Sequence, residues 1–203
     1  MAGGAAGGSL EALERAIDAA VLEELRAVPL APGRPLLAVD ADEVLVEFAA
    51  HLRRFAAAAG VEMRLERYEL EGTFFEIGGG RALPFDEAIS LIDRFFEAET
   101  ERQRAVPGAA EALGRLSERG QVVVLTNVPR HARAARIANL AGLGMDYPLV
   151  ANAGGKGPAL AWLAARAEAP AAFVDDSPSQ IRSAAAGAPG AARLHFAGAD
   201  YVA

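Results

Sequence analysis

Three short apolar runs in this chain each stop on an acidic or polar group: LLAVD (36–40), VVVLTN (122–127) and AAFVDD (171–176). They are apolar throughout rather than alternating, which suits strands buried on both faces of a sheet. YPLVAN (147–152) is a weaker run of the same kind, and ARLHFA (192–197) reads as an edge strand. The stretches at 107–119, 130–142, 156–168 and 178–187 repeat apolar residues at helical spacing. Strands alternating with helices give an α/β fold with a mostly parallel sheet covered on both faces. Such sheets hold their ligands at the carboxyl ends of the strands, where the polar groups of these runs fall.

Two regions stand outside this rhythm. Leu10, Leu13, Ile17, Val21 and Leu25 predict one amphipathic helix over 9–27, after a Gly/Ala-rich start expected to be mobile. Pro29, Pro32, Gly33 and Pro35 then break the chain. The interval 44–105 carries helical patterns around Phe48, Leu52 and Phe55 and around Ile89, Ile92, Phe95 and Phe96, with an irregular Gly78–Gly80 piece between them. The expected organisation is an N-terminal segment and helix (1–34), an α/β core (35–43 and 106–203) and a helical insertion (44–105).

Composition narrows the function. A net charge of −7 disfavours nucleic acid as the main partner, because phosphate backbones are bound by clustered Lys and Arg. The apolar runs are too short to span a membrane, and the N-terminus lacks the pattern of a signal peptide. With 0 cysteines there are no disulfides and no thiolate chemistry, which is compatible with a cytoplasmic location.

In a parallel sheet Asp40, Asp42, Thr126, Asn127, Asp175 and Asp176 meet at one edge, together with Lys156, the only lysine in the chain. Carboxylates crowded in this way repel one another unless a cation sits among them. An oxygen-only donor set suits Mg²⁺, which keeps waters for a phosphate substrate. Taken singly, these features also read as turn residues or helix caps: Ser177 and Pro178, for example, suit the start of a helix. Four such groups in this order at sheet ends carry the weight.

The order of motifs resembles the haloacid dehalogenase (HAD) superfamily of phosphohydrolases, from about residue 35 to 197. VDADEVL is similar to that family's first motif, VVVLTN to its second, Lys156 to its third and FVDDSPSQI to its fourth. AVPGAAEALGRLSERG, ahead of the second motif, resembles the family's approach to it, and the insertion lies where the family places a small helical, C1-type cap. The resemblance implies a Rossmann-like HAD core and a Mg²⁺-dependent phosphatase acting on a small phosphorylated metabolite. Asp40 would be the nucleophile. Asp42 would be the general acid and base, its backbone carbonyl also on the metal. Thr126 and Asn127 would hold phosphoryl oxygens, Lys156 would bridge nucleophile and phosphate, and Asp176 with Asp175 would complete the metal shell. Position 43 is Glu where many relatives have Gly.

Within that family, halide-displacing members lack the second aspartate of the first motif, and phosphonate-cleaving members use a cap lysine. Asp42 is present and 44–105 holds no lysine, so phosphate ester hydrolysis is the expectation, with a phosphomutase as the nearest rival. A non-catalytic phosphate-binding module and a phosphoacceptor receiver domain are the other classes; the first would be marked by loss of Asp40 or Asp42, the second by a different motif order. Arg53, Arg64, Arg67 and Arg81 are cap cations, of which Arg81, beside a glycine run expected to act as a hinge, is the candidate substrate contact. His51 and His131 are expected on helix surfaces, His195 ends the edge strand, and Trp162 is expected in the core. Oligomeric state is not legible.

Overall fold

The computed structural model of the chain describes residues 10–65 and 72–198; the expected mobile start and Arg67 lie outside them. The chain runs α1 (Leu10–Arg15), α2 (Ala19–Ala27), β1 (Leu36–Val39), α3 (Phe48–Ala58), β2 (Val61–Met63), β3 (Phe74–Glu76) and α4 (Phe85–Glu99). It continues with α5 (Ala109–Ser117), β4 (Gln121–Thr126), α6 (Arg133–Gly142), β5 (Leu149–Ala151), α7 (Gly157–Ala167), β6 (Ala171–Asp175), α8 (Pro178–Gly187) and β7 (Ala192–His195).

The sheet is parallel with order β5-β4-β1-β6-β7. Because side chains alternate across a strand, each apolar run feeds two cores at once. Leu36, Ala38, Val123, Leu125, Val150 and Phe173 face α2, α7 and α8, where Leu160, Leu163 and Trp162 complete the layer. Val39, Val122, Val124, Leu149 and Ala151 face the other side, against Leu113 of α5 and Leu140 of α6. Strand order reverses around β1: the chain goes out through β4 and β5, then returns to β6 on the other flank. The switch point between β1 and β6 therefore falls beside Asp40 and Asp175–Asp176, the position at which α/β sheets bind ligands.

The N-terminal helix differs from its expectation. It is two helices, because Asp18 starts a second one by accepting hydrogen bonds from the N–H groups of Ala20 (3.0 Å) and Val21 (3.2 Å). An Asp cap satisfies donors that the helix leaves orphaned, and it wins over continuing the apolar stripe. Val21 and Leu25 of α2 are buried in the main core, so the segment packs on its own chain. Glu14 of α1 accepts from Trp162 Nε1 at 3.2 Å.

The insertion has an apolar cluster of its own, built from Leu52, Val61, Met63, Phe74, Leu91 and Phe95. Phe48, Phe55, Phe95 and Phe96 meet at ring separations of 5.3 to 5.9 Å between α3 and α4. The piece between the helices is not irregular as expected: β2 and β3 form an antiparallel pair, Val61 opposite Glu76. Strands three residues long leave too few positions for a period to show. The Gly78–Gly80 run forms a tight turn, with Gly78 and Gly80 at positive φ and Gly80 N–H bonded to Glu76 O at 3.1 Å. His51 is also less exposed than expected. It is half-buried, with Nε2 3.0 Å from Glu99 Oε2, joining α3 to α4. Among the described residues no helix is long and apolar enough to cross a membrane.

Candidate active site

Asp40 follows β1 directly, 7% exposed, while Asp175 ends β6 at 0% and Asp176 follows it at 6%. One carboxylate oxygen from each of the three lies within 4.8 Å of the others. Burial of three negative charges in one place is costly without compensating cations. Lys156 supplies one: its Nζ, on a residue 1% exposed, is 2.7 Å from Asp40 Oδ1 and 2.7 Å from Asp175 Oδ2. Burial alone would lower the Lys156 pKa, but Asp40 and Asp175 outweigh it and the ammonium is held above its ordinary value. The Asp175 carboxyl is pushed up, by burial first and by Asp40 second, with Lys156 opposing. Three buried carboxylates, each offering an oxygen within 4.8 Å of the others, form a donor set of the kind that binds a divalent cation.

Asp175 is fixed from both sides, since its Oδ1 accepts from Ser177 N–H at 2.8 Å while Oδ2 meets Lys156. Ser177 thus starts α8 through its backbone, and its hydroxyl makes no cap hydrogen bond to the helix. His195 lies 2.7 Å through Nε2 from the Asp176 carbonyl, tying the edge strand to the site. Thr126, at the end of β4, is 0% exposed, and its Oγ1 has no hydrogen-bond partner. A buried hydroxyl is rarely left unpaired, which marks a place where a ligand oxygen would complete it.

Lys156 sits at the N-cap of α7, on a loop organised around the Gly154 carbonyl. That oxygen accepts from Asn127 Nδ2 at 2.8 Å, Asn152 Nδ2 at 3.2 Å and Gln180 Nε2 at 3.2 Å. Asn127, expected at the phosphate, therefore spends its side-chain amide on holding the lysine loop. Gln180 also accepts from Lys156 N–H at 2.9 Å. Gly155 and Gly157 serve packing: a Cβ would lie 2.5 Å from Ser183 Oγ at the first and 2.1 Å from Ser183 O at the second, so glycine is what lets α7 lie against α8.

Asp42 is two residues from Asp40 but its carboxyl does not join the cluster. Its Oδ1 is 2.5 Å from Arg136 Nη2 of α6, and the arginine side chain is 0% exposed. Burial, opposed by Arg136 and reinforced by Asp40, pushes the Asp42 carboxyl up to about 6. Arg136 was not legible as a site residue. The available signal was two polar residues, Arg136 and Asn139, sharing a helix face with Leu140. Glu43 occupies a left-handed conformation, φ 60°, that favours glycine, and its carboxylate accepts the N–H of Ala49 in α3. Arg81 is not brought to the cluster. Its guanidinium, 53% exposed, is 2.6 Å from Glu76 and 3.8 Å from Glu87 on the insertion, so its charge is answered locally.

No family model and no curated protein matches the chain. Solved structures do. A haloacid dehalogenase-like hydrolase from Streptococcus pneumoniae aligns with TM-score 0.55 at 12% identity over 79% of this chain and 83% of its own. A haloacid dehalogenase-like family hydrolase from Xanthomonas campestris gives 0.54 at 16% identity, covering 85% and 87%. A candidate phosphoglycolate phosphatase from Lactobacillus plantarum gives 0.52 at 15% identity, covering 76% and 83%. The chain has the haloacid dehalogenase-like fold, a parallel five-stranded sheet flanked by helices.

Proposed function

We propose that this protein is a HAD-superfamily phosphohydrolase that cleaves a small phosphate monoester through an aspartyl-phosphate on Asp40, with Mg²⁺ as its metal. The observation that carries the reading is the convergence, from four separate strand ends, of Asp40, Thr126, Lys156 and the Asp175–Asp176 pair, with Thr126 Oγ1 buried and unpartnered. Asp40, Asp175 and Asp176 would hold the metal, joined by the Asp42 backbone carbonyl. When bound, the metal supplies positive charge that screens the phosphate from these carboxylates.

Asp40 attacks phosphorus with one carboxylate oxygen as the ester bond breaks. Ala41 N–H, 2.7 Å from Asp40 Oδ1, and Lys156 orient that carboxylate. Thr126 donates to a phosphoryl oxygen, with Asn127 contributing its backbone, and Lys156 neutralises charge on the transferring group. Asp42 protonates the leaving oxygen and then takes a proton from the water that hydrolyses the acyl phosphate. An acid whose pKa lies near neutrality serves both directions. Lysine fits between two carboxylates 2.7 Å away on either side, where a broad planar guanidinium would displace one of them. The insertion, as a cap, selects the substrate.

The test is phosphate release from a panel of phosphorylated metabolites with Mg²⁺, alongside Asp40→Asn and acid trapping of the phosphoenzyme. Release by the wild type, lost in the variant, with a trapped acyl phosphate is the expected result. Phosphate moved within the substrate instead of released would make the protein a phosphomutase. No turnover and no phosphoenzyme on any ester would leave a binding module.

A further inference from the structure

Arg136 is the largest fully buried side chain among the described residues. A buried guanidinium costs several kcal/mol unless an anion and hydrogen-bond acceptors surround it. Its anion is Asp42, at 2.5 Å through Nη2, and its Nη1 is 3.3 Å from Asn139 Oδ1. Its Nε is buried with no partner, so the group is not placed where its donors are best satisfied. A cation serving stability alone is poorly explained by that arrangement.

The network continues outwards. Asn139 gives one amide hydrogen to Glu101 O at 3.1 Å and the other to Gln103 O at 2.8 Å. Those carbonyls belong to the segment by which the chain leaves α4 and returns to the core. The outgoing connection is held at the same place: Glu47 N–H bonds to Arg104 O at 2.9 Å and Val106 N–H to Leu45 O at 2.9 Å. A continuous run of contacts thus joins the Asp42 carboxyl, through Arg136 and Asn139, to the base of the insertion.

We infer that Arg136 is a positioning residue, which holds the Asp42 carboxyl out of the Asp40–Asp175–Asp176 cluster and aims it at the leaving group, while Asn139 ties that aim to the segment returning from the insertion. The inference rests on the proposed phosphohydrolase reading. In the first half-reaction the Asp42 carboxyl passes its proton to the ester oxygen as the phosphorus–oxygen bond breaks and the phosphorus–Asp40 bond forms. Asp42 is left as a carboxylate beside the Arg136 cation. In the second, that carboxylate takes a proton from water, whose oxygen bonds phosphorus as Asp40 departs. Without Arg136 the carboxyl would be free to turn towards Lys156 and away from the leaving oxygen.

Leaving groups separate this role from a structural one. 4-Nitrophenolate departs without a proton, whereas an alkoxide from ethyl phosphate needs one. Arg136→Met is expected to lower kcat/KM for ethyl phosphate by about tenfold to a hundredfold more than for 4-nitrophenyl phosphate, a share of the general-acid effect. Arg136→Lys, which keeps charge but not the two-armed geometry, is expected to fall between wild type and Arg136→Met. Asn139→Ala is expected to shift the ratio in the same direction by less. Should Arg136→Met not fold, the lysine and Asn139 variants carry the comparison. Equal losses on both esters in the folded variants would overturn the positioning role while leaving the phosphohydrolase intact. A wild type inert on both esters and on metabolites would overturn the phosphohydrolase reading and this one with it.

Discussion

The strand-end cluster of the core and the arginines on the surface of the insertion treat charge in opposite ways. In the core, Lys156 is 1% exposed and reaches Asp40 and Asp175, residues 116 and 19 positions away by the numbering of the pairs. In the insertion, Arg81 and Arg64 pair with Glu76 and Glu62, five and two residues away, each with side chains about half exposed. Exposed pairs of that kind contribute little, because water already solvates both partners and salt screens them. Buried groups lose water and must be answered by the fold itself, so their presence calls for a reason beyond stability. The difference teaches where chemistry lies: buried charge gathered from distant strand ends marks the site, and local exposed pairs mark a surface.

The sharpest way to break that comparison is Asp40→Asn. An amide of nearly the same shape should leave the urea midpoint close to wild type while phosphate release falls by at least about a thousandfold, as when a covalent nucleophile is removed. Turnover near the wild-type rate would sink the covalent mechanism.

Lys156→Met should damage both fold and activity. It leaves the buried carboxylates without their ammonium, a loss on the order of 3–5 kcal/mol by denaturant titration, with activity down about a hundredfold or more. Lys156→Arg should recover part of the stability but little of the activity. If the arginine variant turned over at the wild-type rate, the single lysine would be incidental.

Metal and proton should compete for the site. The Asp42 carboxyl moves from 3.8 to about 6 on folding, so between those values the folded state binds more protons than the unfolded. Its contribution to stability therefore rises as pH falls through about 6 and is complete below 3.8. The raised Asp175 carboxyl acts in the same sense. Mg²⁺ at about a hundred times its Kd should stabilise the protein by about 2.7 kcal/mol. That gain should be larger at pH 7.5 than at pH 5, where a proton competes for the Asp175 carboxyl. Thermal melts with Mg²⁺ and with chelator read this out, and a metal shift independent of pH would argue against carboxylate ligation.

Arg81→Ala should be the smallest effect, with the urea midpoint and kcat unchanged and any change confined to KM between substrates. A fall in kcat on every substrate would move Arg81 from the surface into the catalytic centre and undo the contrast with the core.

Legibility followed the same division. The runs ending at Asp40, Thr126 and Asp175 were readable because a strand buried on both faces must be apolar along its whole length. The helix Pro178–Gly187 was readable from Ser177-Pro178 and the apolar spacing after it. The break at Asp18 was not, because helix capping there overrides an unbroken apolar stripe. The strand pair of Val61–Met63 with Phe74–Glu76 was hidden by its length, and the tight turn at 78–80 was not legible in the glycine run itself.

By itself, then, the sequence determined the alternation of strands and helices and the polar groups that close each strand, since apolar period and strand ends are local properties. Tertiary structure decided which of those groups face one another. It turned Asp42 towards Arg136, committed the Asn127 amide to the Gly154 carbonyl and set Gly157 against Ser183. The physical reason is that the partners of a buried polar group are chosen by desolvation and packing across elements far apart in the chain, and no local spacing records that choice.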